Sequence, residues 1–100
     1  MEHHVYFWLK EERDNEGDRR VFEQGIEALC KSPNIESSHW GVPAKTAERP
    51  VTDHSFAYAI SLKFSSMESH DRYQEDDVVH DVFITEFKDW WAKALVMDLA

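Results

Sequence analysis

Residues 71 to 83 read Asp-Arg-Tyr-Gln-Glu-Asp-Asp-Val-Val-His-Asp-Val-Phe. The stretch sets a phenol (Tyr73), an acidic run (Glu75, Asp76, Asp77) and an imidazole (His80) close together. A histidine titrates near neutrality, so it can take and return a proton at working pH. A phenol beside it can hold a carbonyl oxygen or donate to a developing enolate. Tyr73 and His80 are therefore the candidate catalytic pair. Two other readings use the same residues. His80 could contact a ligand without doing chemistry, or it could start a helix and hydrogen-bond Asp76 or Asp77 in a structural role.

Other chemistries find less support. Asp76 or Asp77 and His80 lie at helical spacing, and His3 and His4 are adjacent. Neighbouring residues on a strand point to opposite faces, so His3 and His4 cannot share one ion. No HExxH or CxxC spacing occurs, and no metal site is expected. The glycines (Gly17, Gly25, Gly41) are isolated, which removes a phosphate-cradling loop, and no cofactor is expected. Cys30 is the only cysteine, on an amphipathic segment, and reads as a small buried or half-buried thiol in a reducing, cytoplasmic setting.

A chain of 100 residues carries one domain, spanning 1–100. The formal charge of −9 argues against nucleic acid and against anionic membranes. No basic, apolar leader and no membrane-length apolar run is present. The aromatic fraction of 13% is high for a small core, which suggests a second burial surface such as a subunit interface or a ligand pocket.

The elements that must position Tyr73 and His80 follow from periodicity. His3 to Lys10 is a strand with two apolar faces, Val5, Phe7 and Leu9 on one and His4, Tyr6 and Trp8 on the other. A helix capped by Asp14 or Asn15 carries Phe22, Gly25, Ile26 and Leu29 on one stripe and runs to about Lys31. Asn34 to Val42 is a weak edge strand. A loop over 44–53 is long enough to fold over an opening. His54 to Phe64 alternates strictly and is the clearest strand. Ser65 with Glu68 forms a capping-box pattern for a short helix through about Tyr73. A third helix starts near Val79 or His80, with Phe83, Phe87 and Trp90 on its apolar stripe and His80, Ile84 and Trp91 on the adjoining one. Ala94 to Leu99 is a last strand. The order β-α-β-β-α(α)-β predicts an α+β, ferredoxin-like sandwich with the first and third strands central.

The ordered set of His4–Lys10, the Phe22/Ile26/Leu29 helix, Trp40-Gly41, the loop to Asp53, Tyr73-Gln74 with a spaced His80, Trp90 and Leu95–Asp98 resembles the stress-responsive A/B barrel (Dabb) family. The resemblance covers essentially the whole chain. It implies a ferredoxin-like fold that pairs into a dimeric α+β barrel, and a stress-related role. It also implies, by analogy with a plant polyketide cyclase of the family, that Tyr73 and His80 match a catalytic pair and His4 a further pocket residue. Six residues separate Tyr73 from His80, one more than in that cyclase, and the proline usual before the histidine is replaced within Asp76-Asp77-Val78-Val79.

Together these readings predict a homodimer packed through the helix-free sheet face, with Val5, Phe7 and Leu9 at the interface. They predict a cavity between sheet and helices that binds a small apolar or aromatic ligand. His4, Tyr6 and Trp8 would line it, with Tyr58, Ile60 and Leu62 from the third strand and Phe22 and Trp90 from the helices. For His4, a satisfied histidine in a plain core remains open. The alternatives are a cyclase or isomerase with His80 as general base and Tyr73 as orienting acid, and a structural dimer with no small-molecule site.

Overall fold

The computed structural model describes residues 1–100. Its elements are β1 (Glu2–Leu9), α1 (Glu16–Leu29), β2 (Ser37–Gly41), β3 (Tyr58–Lys63), α2 (Met67–Glu75), α3 (Val78–Phe87) and β4 (Trp91–Leu99). The strands form one antiparallel sheet in the order β2-β3-β1-β4. β1 and β3 are central, as their apolar patterns predict, and the architecture is an α+β, ferredoxin-like sandwich. No helix is long and apolar enough to cross a membrane.

Local chemistry explains the element ends. Asn15 caps α1 by accepting from the Asp18 amide at 2.9 Å. Ser66, not Ser65, caps α2, since Ser66 has the extended backbone a cap needs and accepts from the Ser69 amide. Glu68 does not close a capping box and instead pairs with Arg72 one turn on, at 3.0 Å. β4 begins at Trp91, earlier than Ala94, and β3 is trimmed to Tyr58–Lys63. The intervening loop leans on the helix-free face: Phe56 packs edge-on against Tyr6 and Trp8, and Trp8 Nε1 donates to Ser55 Oγ.

The two faces of β1 are the reverse of the expected assignment. His3, Val5 and Phe7 stand opposite Leu62, Ile60 and Tyr58 and are buried under the helices. His4, Tyr6 and Trp8 lie on the helix-free side with Ser61 and Ala59. Alternation separates two faces but does not say which one points inward, and both faces of this strand are apolar enough to be buried. Val5 and Phe7 therefore do not form the exposed sheet face, and a bulge at Trp8/Leu9 ends the regular register.

The core is aromatic. Phe22 of α1 is fully buried, with ring centroids 5.1 to 5.9 Å from those of Phe7, Tyr58, Phe83 and Phe87. Gly25 sits where α1 crosses α3. A Cβ there would lie 2.2 Å from Cε2 of Phe87, itself 1% exposed. Gly25→Ala gains up to ~1 kcal/mol of helix propensity but incurs an overpacking cost of about 1–3 kcal/mol. A lower urea midpoint with unchanged slope is expected, and Phe87→Leu in the same chain should recover part of the loss.

Candidate functional site

Asp77 organises the site. Its carboxylate is 5% exposed and accepts from the Ser32 hydroxyl, from Asn34 Nδ2 at 2.9 Å, and from the amides of Val79 and His80 at 2.8 and 3.2 Å. Burial pushes this carboxyl upward, but the hydrogen bonds prevail and hold it below the usual aspartate value. Asp77 thus caps α3 through the backbone of His80 and leaves the imidazole free. α2 stops at Glu75, and Asp76 takes a non-helical conformation that separates it from α3. Glu75 and Asp76 are exposed.

Tyr73, near the end of α2, is 2% exposed, and its hydroxyl makes no hydrogen bond within the chain. The rings of Tyr73 and His80 lie 4.5 Å apart, centroid to centroid, tilted by 54°. Nδ1 of His80 is buried without a partner. His3 approaches Tyr73 from β1, at 6.0 Å between centroids, and its Nδ1 is 2.6 Å from Asp98 Oδ1 on β4. The three side chains border one cavity of about 150 Å³ between the β1/β4 half of the sheet and α2/α3. Apolar walls come from Val5, Phe7, Phe83, Ile84 and Trp91. Val96, 49% exposed, and the exposed Gln74 belong to its open side. Nε1 of Trp91 is also buried without a partner.

Burial sets the protonation states. Desolvation lowers the His80 pKa against the pull of Asp81 and Asp77, and lowers that of His3 against its bond to Asp98. Burial, then the nearby Asp77, raises the Tyr73 phenol well above its ordinary value. Near neutrality the cavity therefore presents neutral imidazoles and a protonated phenol. That combination can accept a proton at one point and donate a hydrogen bond at another.

Of the residues expected at the site, Tyr73, His80 and Ile60 border this cavity. His4 does not. It lies on the opposite sheet face, 3.1 Å from Glu2, in a separate depression with Tyr6, His39 and Phe56. Tyr6 and Trp8 share that face because their strand alternates the other way. Phe22 and Leu62 are sealed in the core. Tyr58 is anchored elsewhere, its hydroxyl donating to Glu23 and accepting from Arg19. Trp90 packs on Phe22 and Phe87 beneath the Arg13 guanidinium. His3, Gln74, Phe83, Ile84 and Trp91 were not expected there. Ile84 shares the α3 stripe of His80, and His3 alternates with Val5 and Phe7, so a correct inward face for β1 would have found His3; Trp91 reaches the cavity from the start of β4 rather than from that helix.

The lowered His3 and His80 values have a consequence in acid. The unfolded chain binds protons on these imidazoles near pH 6.5 while the folded chain resists, so their contribution to stability is complete above that pH and is lost as pH falls toward the folded values. His80→Gln, followed by thermal denaturation from about pH 7.5 down to about pH 5, should lose less stability on acidification than the wild type. Parallel curves for the two proteins would remove His80 from the effect.

A family model described as the stress responsive A/B barrel domain, Dabb, matches residues 1–100. Curated proteins yield no match. Among similar solved structures, a Dabb family protein of Mesorhizobium loti with a ferredoxin-like fold is 18% identical, with a TM-score of 0.75 over 99% of this chain and 93% of that one. The hydroxynitrile lyase of Passiflora edulis is 17% identical, with a TM-score of 0.77 over 96% and 87%. A dimeric ferredoxin-like protein of unknown function from Thermobifida fusca is 16% identical, with a TM-score of 0.69 over 99% and 88%. At such identities the structures attest the fold, and the family model, matching from the first residue to the last, places the chain in the stress responsive A/B barrel (Dabb) family.

Proposed function

We propose that this protein binds a compact, largely apolar ligand, of the size of one aromatic ring with a hydrogen-bonding oxygen, in the cavity between sheet and helices. One observation carries the reading. At a mostly apolar cavity, two lining side chains, His80 and Trp91, have buried nitrogens, Nδ1 and Nε1, that lack hydrogen-bond partners. Buried polar groups are normally paired, so two unmet groups at one cavity suit a ligand that meets them. The volume of about 150 Å³ lies below the ~300 Å³ at which drug-sized pockets begin, which favours a small ring over an extended chain. Small phenols, aromatic acids and short polyketide-like compounds should raise the melting temperature, by about 2.7 kcal/mol of added stability at a hundred times Kd. His80→Ala should lose most of that response. If none of these compounds stabilises the wild type, the cavity reading falls.

A second reading has its own support. The Tyr73 and His80 rings are close, and desolvation keeps the imidazole in its neutral, proton-accepting form and the phenol protonated. In a cyclase- or isomerase-type reaction His80 would remove a proton from carbon while Tyr73 held the adjacent oxygen as negative charge developed. The fold also carries enzyme chemistry in the Passiflora edulis lyase. If a bound compound is turned over, Tyr73→Phe should lower kcat by about a hundredfold or more and change KM little.

The assembly proposed is a homodimer through the helix-free sheet face; the Thermobifida fusca protein, of similar fold, is dimeric. The residues offered are Tyr6, Leu95 and Met97 in place of Val5, Phe7 and Leu9. Sedimentation should give a dimer at micromolar concentration for the wild type and a monomer for Leu95→Glu. A wild type that stays monomeric there ends this reading and leaves the cavity reading standing.

A further inference from the structure

His3, His70 and Asp98 come from β1, α2 and β4, far apart in sequence. Each offers one donor atom, and these atoms all lie within 4.8 Å of one another. The two imidazole centroids are 5.1 Å apart. His70 Nδ1 stands 3.2 Å from the Asp71 carboxylate, which holds the ring proton on that nitrogen and leaves a lone pair on Nε2. Nε2 of His70 is buried and meets no hydrogen-bond partner. His3 is 4% exposed and is oriented through Nδ1 by Asp98, whose own side chain is 43% exposed. A carboxylate that fixes one ring nitrogen is how metal-binding histidines are held in place. Burial also keeps the His3 imidazole neutral, the form a metal requires.

We propose that His3, His70 and Asp98 bind a first-row transition-metal dication, with Zn²⁺ the best match. Two neutral imidazoles and one carboxylate are a borderline donor set that suits Zn²⁺ and discriminates against Mg²⁺ and Ca²⁺, which prefer oxygen-only shells. Three protein ligands leave a fourth, tetrahedral position for water on the exposed Asp98 side. Zn–N and Zn–O bonds of about 2.0–2.2 Å set neighbouring donors roughly 3.4 Å apart, so the 2.6 Å His3–Asp98 pair opens, by rotation of the half-exposed Asp98 side chain, while the wider pairs close. The His3 imidazole keeps its single ring proton: the ion takes whichever ring nitrogen carries the lone pair, and Asp98 turns a carboxylate oxygen from His3 to the ion. His3 belongs to the cavity wall as well, but the ion site stands without a cavity ligand and without Tyr73 or His80.

The test uses tag-free protein stripped with EDTA and desalted. Zn²⁺ added in a calorimeter should bind one equivalent per chain in the micromolar range or tighter. Co²⁺ should develop visible d–d absorption, and Zn²⁺ should raise the melting temperature reversibly to EDTA. His70→Ala and Asp98→Asn should each weaken binding at least about tenfold. His80→Ala and His39→Ala should bind as the wild type does. Asp98→Asn keeps size and hydrogen bonding at a half-exposed position, so it reports on ligation even if His70→Ala fails to fold. Absence of saturable binding below millimolar Zn²⁺, equal response to Mg²⁺, or affinity that survives both substitutions overturns the proposal.

Discussion

A buried carboxylate that cannot be left unpaired fixes the geometry of the helical layer. Taking Asp77 out of water is unfavourable, and the cost is met only because two side chains and two backbone amides converge on it. Those donors come from different places. Ser32 and Asn34 lie just beyond α1, and the amides belong to the first turn of α3. One side chain therefore fastens the end of one helix to the start of another and sets the rotation at which α3 leaves the turn. That rotation puts Phe83 and Phe87 into the core and His80 against Tyr73.

The same layer behaves differently at its two ends, as two tyrosines show. Tyr58 and Tyr73 are both buried. The Tyr58 hydroxyl is tied to Glu23 and Arg19, with the Arg19 guanidinium 4.7 Å over its ring. That end is closed, filled by Phe22 and its ring partners. The Tyr73 hydroxyl has no such tie. It faces the end of the fold where histidines replace phenylalanines and where β4, an edge strand with little cover, leaves the wall open. Phe7 and Phe83 serve both ends, since each packs on Phe22 and each lines the cavity. The rigid aromatic cluster is thus the back wall of the open site.

Element order and the central placement of β1 and β3 were legible because period and apolar runs report burial directly. The place of His80 beside the core was legible for the same reason, since its stripe on α3 holds Ile84; the expected continuation of that stripe to Trp91 fails because the helix ends at Phe87. The choice between His3 and His4 was not legible. It depends on which face of β1 meets α1, and both alternate sets carry large apolar residues. Only the register with Tyr58, Ile60 and Leu62 decides it, and register is a pairing property that one strand alone does not encode. The capping serine of α2 shows the same limit on a smaller scale. Ser65 and Ser66 have equal chemistry, and the chain's exit from β3 decides which one caps. The cluster of His3, His70 and Asp98 lay beyond reach altogether, because its spacing exists only after three elements fold together.

The inversion of β1 also changes what the helix-free face can do. With Val5 and Phe7 inside, that face carries Tyr6 and Trp8, both braced by Phe56. Opposite Tyr6 and His4 on β4 stand Leu95 and Met97, while Glu2, Lys63 and Lys93 occupy the ends of the face. Apolar groups at the centre and charges at the border are compatible with the interface proposed for this face. Trp8 fits the border role, since its indole nitrogen is already engaged by Ser55 and Lys93 sits 4.7 Å above its ring. Tyr6 fits the centre. The aromatic residues in excess of what a small core can hold are thus accommodated on two surfaces, one facing the cavity and one facing away from the helices, and a single substitution on β4 can address either surface according to the parity of its position.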